Sequence, residues 1–165
     1  MTTRHNSHRL DELRRLLVLD SQPEHQFDQI VERLGSTLGA PMVMINLLDE
    51  NRDWLKARVG LPLAESSAET SMCNIFFETR DDVVLVSDTL KDARFSDHPY
   101  VVGDPNIRFY VAARLVSNGH TVGTLCSYGC EPKELTPEQT SILTMLAKEA
   151  AHLLAARSAA SSKSA

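Results

Sequence analysis

The chain holds 165 residues, 42% hydrophobic and 24% charged, with a formal net charge of −5. At about 150 residues per domain this is one globular domain, large enough for a core without disulfides or metal, and whole-chain disorder, collagen and a bare coiled coil are excluded. The excess of acid over base argues against a broad nucleic-acid surface.

No apolar run reaches the roughly 18 residues of a membrane span, and the polar, charged first 20 residues lack the pattern of a signal peptide. The odd count of cysteines (Cys73, Cys126 and Cys130) does not read as a disulfide framework. A cytoplasmic location is expected, with neither membrane nor nucleic acid as partner.

Residues 1–6 read as a disordered start. Asn6 or Ser7 can cap a first helix over about 7–20, with Leu10, Leu13, Leu16 and Leu17 on one stripe, and Asp20-Ser21-Gln22-Pro23 breaks it. A second helix over about 24–38 carries Phe27, Ile30, Val31, Leu34 and Leu38 on one face and stops at Gly39. The period then changes. Met42–Leu48 is a nearly continuous apolar run, the mark of a buried central strand. Arg52–Val59 alternates, placing Trp54, Lys56 and Arg58 on one face and Leu55, Ala57 and Val59 on the other, with the Asp49–Asn51 turn closing a hairpin.

Residues 60–70 read as loop, and 71–78 (SMCNIFFE) as a short helix carrying Cys73 and Phe76. Val83–Val86 is a compact strand. Residues 87–107 show no period and are punctuated by Asp, Pro and Gly; long connections of this kind usually face a ligand. Strands over 109–116 and 121–126 join through Asn118-Gly119, the strongest short hairpin signal. Thr136 and Gln139 form a capping box, with Pro137 at the first helical position, for a helix over about 136–157. Its stripe of Ile142, Leu143, Leu146, Ala147, Ala150, Leu153 and Leu154 either packs on its own sheet or, with the first helix, also meets a second copy of the chain. Residues 159–165 (AASSKSA) read as a disordered tail, leaving a single domain over 7–158. The order of elements gives an α+β fold, a mainly antiparallel sheet of five to six strands with helices packed on it.

Several residues could carry chemistry. Trp54 is either a flat aromatic wall of a ligand pocket or a core residue at the sheet edge, and Lys56 shares its expected face. Asp88, Asp92, Arg94 and Phe95 lie together in SDTLKDARF; Arg94 either takes a ligand acid or phosphate or pairs with a neighbouring Asp, and the balanced charges favour the internal pair. Arg108 and Tyr110 share one strand face, opposite Phe109. Cys73 is either a redox or attachment site or, as free cysteines more often are, a small buried hydrophobe. Cys126 and Cys130 are candidates for a reversible disulfide, but two thiolates fall short of the four ligands of a zinc site. The six histidines show no metal-binding spacing, and no phosphate-binding loop or nucleophile elbow is present. Nothing assembles a nucleophile, a base and an oxyanion hole, so no catalytic residue, metal or cofactor is expected.

The segments NRDWLKARVGL (51–61), SMCNIFF (71–77), VLVSDTLKDARFSDHPYVVGDPNIRFYVAARL (84–115) and GTLC (123–126), in this order and spacing, resemble a bacterial GAF domain over about residues 10–157. The resemblance implies a central antiparallel sheet with terminal helices on one face. Opposite them it implies a ligand pocket between the sheet and the 60–107 region. It also implies regulatory binding of an unidentified small molecule rather than catalysis, homodimerisation through the terminal helices, and output through a separate signalling protein such as a kinase or cyclase. A purely structural dimerisation module is the alternative; a free methionine sulfoxide reductase and a tetrapyrrole sensor are weaker ones. The chain departs from the family pattern after GTLC, where relatives usually carry an Asp and then Pro-Arg: here Gly129 holds the Asp position, Cys130 follows, and Lys133 replaces the Arg.

Overall fold

The computed structural model describes residues 2–164, with side chains described for residues 2–158. Two helices come first, α1 (Ser7–Arg15) and α2 (His25–Leu38). The Asn6 side chain caps α1 by accepting from the Arg9 amide at 3.0 Å. α1 stops at Arg15 instead of running to about 20, because Leu17 and Asp20 take positive φ (55° and 62°) and turn the chain away. α2 ends on Gly39 in the left-handed conformation.

Six strands follow: β1 (Met42–Leu48), β2 (Arg52–Val59), β3 (Glu65–Ser67), β4 (Val83–Val86), β5 (Phe109–Ser117) and β6 (His120–Gly129). They form one sheet in the order β3-β2-β1-β6-β5-β4, and every neighbouring pair is antiparallel. The expected α+β fold is therefore present. Asn118 and Gly119 both take positive φ (47° and 78°) in the β5–β6 turn. β3 lies inside the stretch read as loop; its three residues are exposed and polar, so no hydrophobic alternation announces it. A single turn, α3 (Pro99–Val102), and the 3-10 helix Met72–Phe77 lie in the connections. The last helix, α4 (Pro137–Ser164), opens on the expected capping box, with the Gln139 amide donating to Thr136 Oγ1 at 3.1 Å and the Thr136 amide to Gln139 Oε1 at 2.9 Å. It continues past residue 157 through most of the stretch read as a disordered tail; Ala165 and the side chains of 159–164 lie outside the described residues.

The sheet separates two apolar layers. On one side Leu13, Leu16, Phe27, Ile30, Leu34, Leu143, Leu146, Ala150 and Leu154 pack on Val43, Ile45, Leu47, Phe109, Val111 and Leu125. The stripe of α4 is thus used inside the chain, against the sheet and α2. On the other side Met44, Leu48, Tyr110, Ala112 and Cys126 meet Met72, Cys73, Phe76, Phe95, Val101 and Ile107 of the connections. Alternation along β1 and β5 assigns successive residues to opposite layers.

β2 breaks that alternation. Its register against β1 shifts between Ile45 and Asn46, which pair with Ala57 and Leu55 and leave Lys56 without a partner. This bulge puts Trp54 on the helical side, with Ala57. Lys56 reaches the same side, where its ammonium donates to Gln22 O at 2.6 Å and Ser21 Oγ at 2.8 Å and pairs with Glu24.

Gly129, at the position where the resemblance implied an Asp, ends β6 against Phe109. A Cβ at this position would lie 2.0 Å from Cε1 of Phe109, so the Phe109 ring occupies the space a side chain would need. The following segment is tied down through its backbone, with the Lys133 amide donating to Ser87 O at 2.9 Å.

Candidate functional site

A cavity of about 230 Å³ lies between the sheet and the segments that cross it. Met44 and Asn46 of β1, Asp53 and Leu55 of β2 and Tyr128 of β6 form its floor; Leu61, Pro62 and Leu63 close one side, and Tyr100, Pro105 and Ile107 the other. The cavity sits where the family resemblance implied a pocket, but it is smaller than the roughly 300–1,000 Å³ of drug-sized sites.

Under the floor runs a buried polar network. Asp53 is 3% exposed and Asn46 1%. Asn46 Nδ2 donates to Asp53 Oδ2 at 2.9 Å, and Ser71 Oγ donates to the same oxygen. Arg4 Nη2 stands 2.9 Å from Asp53 Oδ1, an ion pair without hydrogen-bond alignment. Asn46 Oδ1 has no hydrogen-bond partner. Arg4 also donates to Asn74 Oδ1 and Asp49 O, both at 2.9 Å. Arg9 fixes the backbone of Arg4, donating to its carbonyl through Nε at 3.0 Å and Nη2 at 2.6 Å. Burial, with Arg4 beside it, pulls the Arg9 guanidinium down to about 10, so it stays charged at neutral pH. Residues 2–6, expected to be disordered, are therefore held by the insertion of Arg4 into the domain; Met1 lies outside the described residues.

A second buried cluster adjoins this network. Cys73 Sγ lies 3.1 Å from Tyr110 Oη, 3.2 Å from Thr124 Oγ1, 3.6 Å from Asn46 Nδ2 and 4.0 Å from Cys126 Sγ. The contact with Cys126 holds the Cys73 thiol below its ordinary value, with help from Thr124 and Tyr110. Burial pushes the Cys126 thiol and the Tyr110 phenol well above theirs. The Tyr110 ring stacks on Tyr128 with centroids 5.4 Å apart, and on its other flank meets Phe95 at 5.4 Å.

None of the residues singled out in the sequence lines the cavity itself. Cys73, Phe76, Phe95 and Tyr110 form the apolar layer next to it. Trp54 and Lys56 are on the opposite side of the sheet, carried there by the bulge. Asp92 and Arg94 form the internal pair, with two parallel hydrogen bonds of 3.0 and 2.7 Å at the surface of the connection. Asp88 caps the short turn that follows it, accepting from the Leu90 amide. Arg108 donates to Val101 O and Ile107 O and ties the connection to β5. Cys126 lies in β6 and Cys130 one residue past its end, and the extended chain between them sets their Cα atoms beyond disulfide reach; Cys126 neighbours Cys73 instead, and Cys130 is exposed.

Sequence reasoning missed the floor. Its signal was the one polar residue in the strand MVMINLL: alternation alone places Asn46 with Met44 and Leu48, opposite the helices.

The family model for the GAF domain matches residues 22–154. The chain belongs to the GAF domain family. This GAF domain is 33% identical, over 117 residues and 70% of its length, to a cyclic di-GMP phosphodiesterase of Pseudomonas aeruginosa, and the match spans only 20% of that protein. Among solved structures it resembles the GAF domain of an Acinetobacter phosphoenolpyruvate-protein phosphotransferase, with a TM-score of 0.67, 21% identity and coverage of 93% of this chain and 96% of the other. It also resembles a type II free methionine-R-sulfoxide reductase from Thermoplasma acidophilum, with a TM-score of 0.62, 16% identity and coverage of 78% and 89%. At these identities the structural likenesses establish the fold alone. Among the described residues no helix is long and apolar enough to cross a membrane, and no cluster of three or more His, Cys, Asp or Glu side chains is placed to hold a metal ion.

Proposed function

We propose that this GAF domain is a non-catalytic sensory module that takes a small molecule into the cavity between the sheet and residues 61–66 and 100–107. The observation that carries this reading is the cavity's make-up: apolar and aromatic walls over a floor that holds the buried carboxylate of Asp53 and an unpaired amide oxygen on Asn46. Apolar walls with a few convergent polar groups are the common design of small-molecule sites. Catalysis by cysteine is a poorer fit, because Cys73 and Cys126 are fully buried in the apolar layer beside the cavity, outside its lining, and Cys130 is at the surface.

The relation to part of a cyclic di-GMP phosphodiesterase supports a role beside signalling enzymes. We place the output in a separate partner such as a kinase or cyclase. Homodimerisation belongs to the same proposal, and it would use the outer face of the terminal helices, since the apolar stripe of α4 is spent inside the chain.

The test is thermal unfolding of the purified chain across a metabolite library, beside native mass spectra recorded without added ligand. A true ligand at a hundred times its Kd adds about 2.7 kcal/mol of stability. Leu61→Trp, which fills the cavity from its rim, should abolish that stabilisation while leaving the circular dichroism spectrum unchanged. A library in which no compound raises the unfolding temperature, together with an unliganded native mass, sinks the proposal. The same mass spectra count the subunits.

A further inference from the structure

The geometry points to a ligand that is small, carries no negative charge and donates at least one hydrogen bond, an N–H heterocycle or an amine on an aromatic or aliphatic body. This rests on the reading of the cavity as a ligand site and names what the site accepts.

Three observations carry it. The first is the amide of Asn46. Its orientation is forced, since Nδ2 donates to Asp53 Oδ2; turned over, it would set oxygen against oxygen at 2.9 Å. The amide therefore keeps an acceptor, Oδ1, buried without a partner in a residue of the cavity floor. A buried acceptor left unpaired is costly, and a ligand donor that reaches it recovers that cost.

The second observation is charge. The titratable side chains that line the cavity are Asp53, Glu65, Tyr100 and Tyr128, and among the described residues no Lys or Arg lines it. Arg4 stands behind Asp53 and is engaged there, with Asn74 and with the Asp49 carbonyl. Arg52 is drawn outward to Asp20, Asp49 and Glu65. A phosphate or carboxylate would enter beside two acids with no cation free to meet it, whereas the aromatic rings in the lining, Tyr100 and Tyr128, attract a cation rather than an anion.

The third is size. About 230 Å³ bounded by Leu55, Leu61, Leu63, Ile107 and the two tyrosines holds a single ring system. A cyclic dinucleotide, with two phosphates and two purines, fails on both size and charge.

Two matched pairs of probes test the inference on the full chain by nuclear magnetic resonance titration. Indole and benzofuran differ in the N–H donor. Phenethylamine and phenylacetate share a body and differ in the sign of the charge. Indole should bind about tenfold more tightly than benzofuran, phenethylamine more tightly than phenylacetate, and Leu61→Trp should abolish both. Leu61 sits at the rim and is only partly buried, so that variant keeps the fold; Leu63→Trp, at an exposed site, repeats the control. If benzofuran matches indole, or phenylacetate matches phenethylamine, and binding still disappears in Leu61→Trp, the ligand class is wrong while the cavity remains a binding site. If none of the four binds, or binding survives in both Trp variants, the ligand-binding reading falls with it.

Discussion

At the scale of single residues, burial separates the three cysteines. Cys73 and Cys126 are both fully buried with their sulfurs 4.0 Å apart, and Cys130 is exposed beyond the end of β6. Alkylation requires a thiolate, which attacks the reagent's carbon and displaces its leaving group, and it requires that the reagent reach the sulfur. Cys126 meets neither condition, because burial holds it protonated; Cys73, although its thiol is held below the ordinary value, is sealed beneath Tyr110 and Thr124. Brief alkylation of the native chain should therefore add one label, at Cys130, and alkylation after unfolding should add three. Intact mass and peptide mapping read this directly, and early labelling of Cys73 would show that the apolar layer beside the cavity opens.

Among the elements, the end of β6 makes the sharpest prediction. Gly129 faces the Phe109 ring so closely that Gly129→Asp, which restores the residue usual in the family, should destabilise the fold by about 1–3 kcal/mol through overpacking. Urea unfolding measures the loss, and Phe109→Ala should make the substitution much better tolerated. α1 offers a second test. Glu12 accepts from Arg15 at 2.8 and 2.7 Å, from Ser117 at 2.6 Å and from Asn118, and the Arg15 hydrogen bonds chiefly hold its carboxyl at about 2, below the ordinary 4.5. The folded value is the lower one, so the stabilisation is fully present above about pH 4.5 and is lost as pH falls toward 2. Glu12→Gln should lower the urea midpoint at pH 6, with the gap to the parent chain narrowing at pH 3. A gap that stays constant with pH would mean the carboxylate's charge adds nothing. Elements marked by period or by turn chemistry were legible in the sequence: the strand Met42–Leu48, the Asn118-Gly119 hairpin and the Thr136–Gln139 cap. β3 was not, because three exposed polar residues become a strand only by pairing with β2. The site suffered most, since one bulge at Lys56 carried Trp54 and Lys56 across the sheet and left Leu55, with Asn46 and Asp53, under the cavity. A bulge is set by how two strands pair, and a single strand's sequence does not display it.

Across the whole molecule, a continuous set of contacts joins the cavity to both terminal helices. Asp53 lines the cavity and faces Arg4; Arg9 of α1 grips the Arg4 carbonyl; at the other end of α1, Arg15 donates to Ser158 of α4 at 3.2 Å, and Arg157 donates to Leu16 O at 3.2 Å. Contact alone does not make a signalling route, and the requirement is an element with two arrangements that the site can bias. α1 is suited to that part, being short and held at one end by the hydrogen bonds of Arg9 to Arg4, whose side chain is in the buried ion pair, and at the other by the hydrogen bond of Arg15 to α4. Asp53→Asn removes the counter-charge of Arg4 while keeping the shape of the side chain. Hydrogen exchange should then accelerate about tenfold or more over residues 3–16, while the amides between β5 and β6, which open only with the whole fold, change much less. A ligand that draws Asp53 away from Arg4 should give the same local pattern in the parent chain. An equal acceleration everywhere would instead mean that the buried pair serves global stability, and the link from cavity to helix would have to be abandoned.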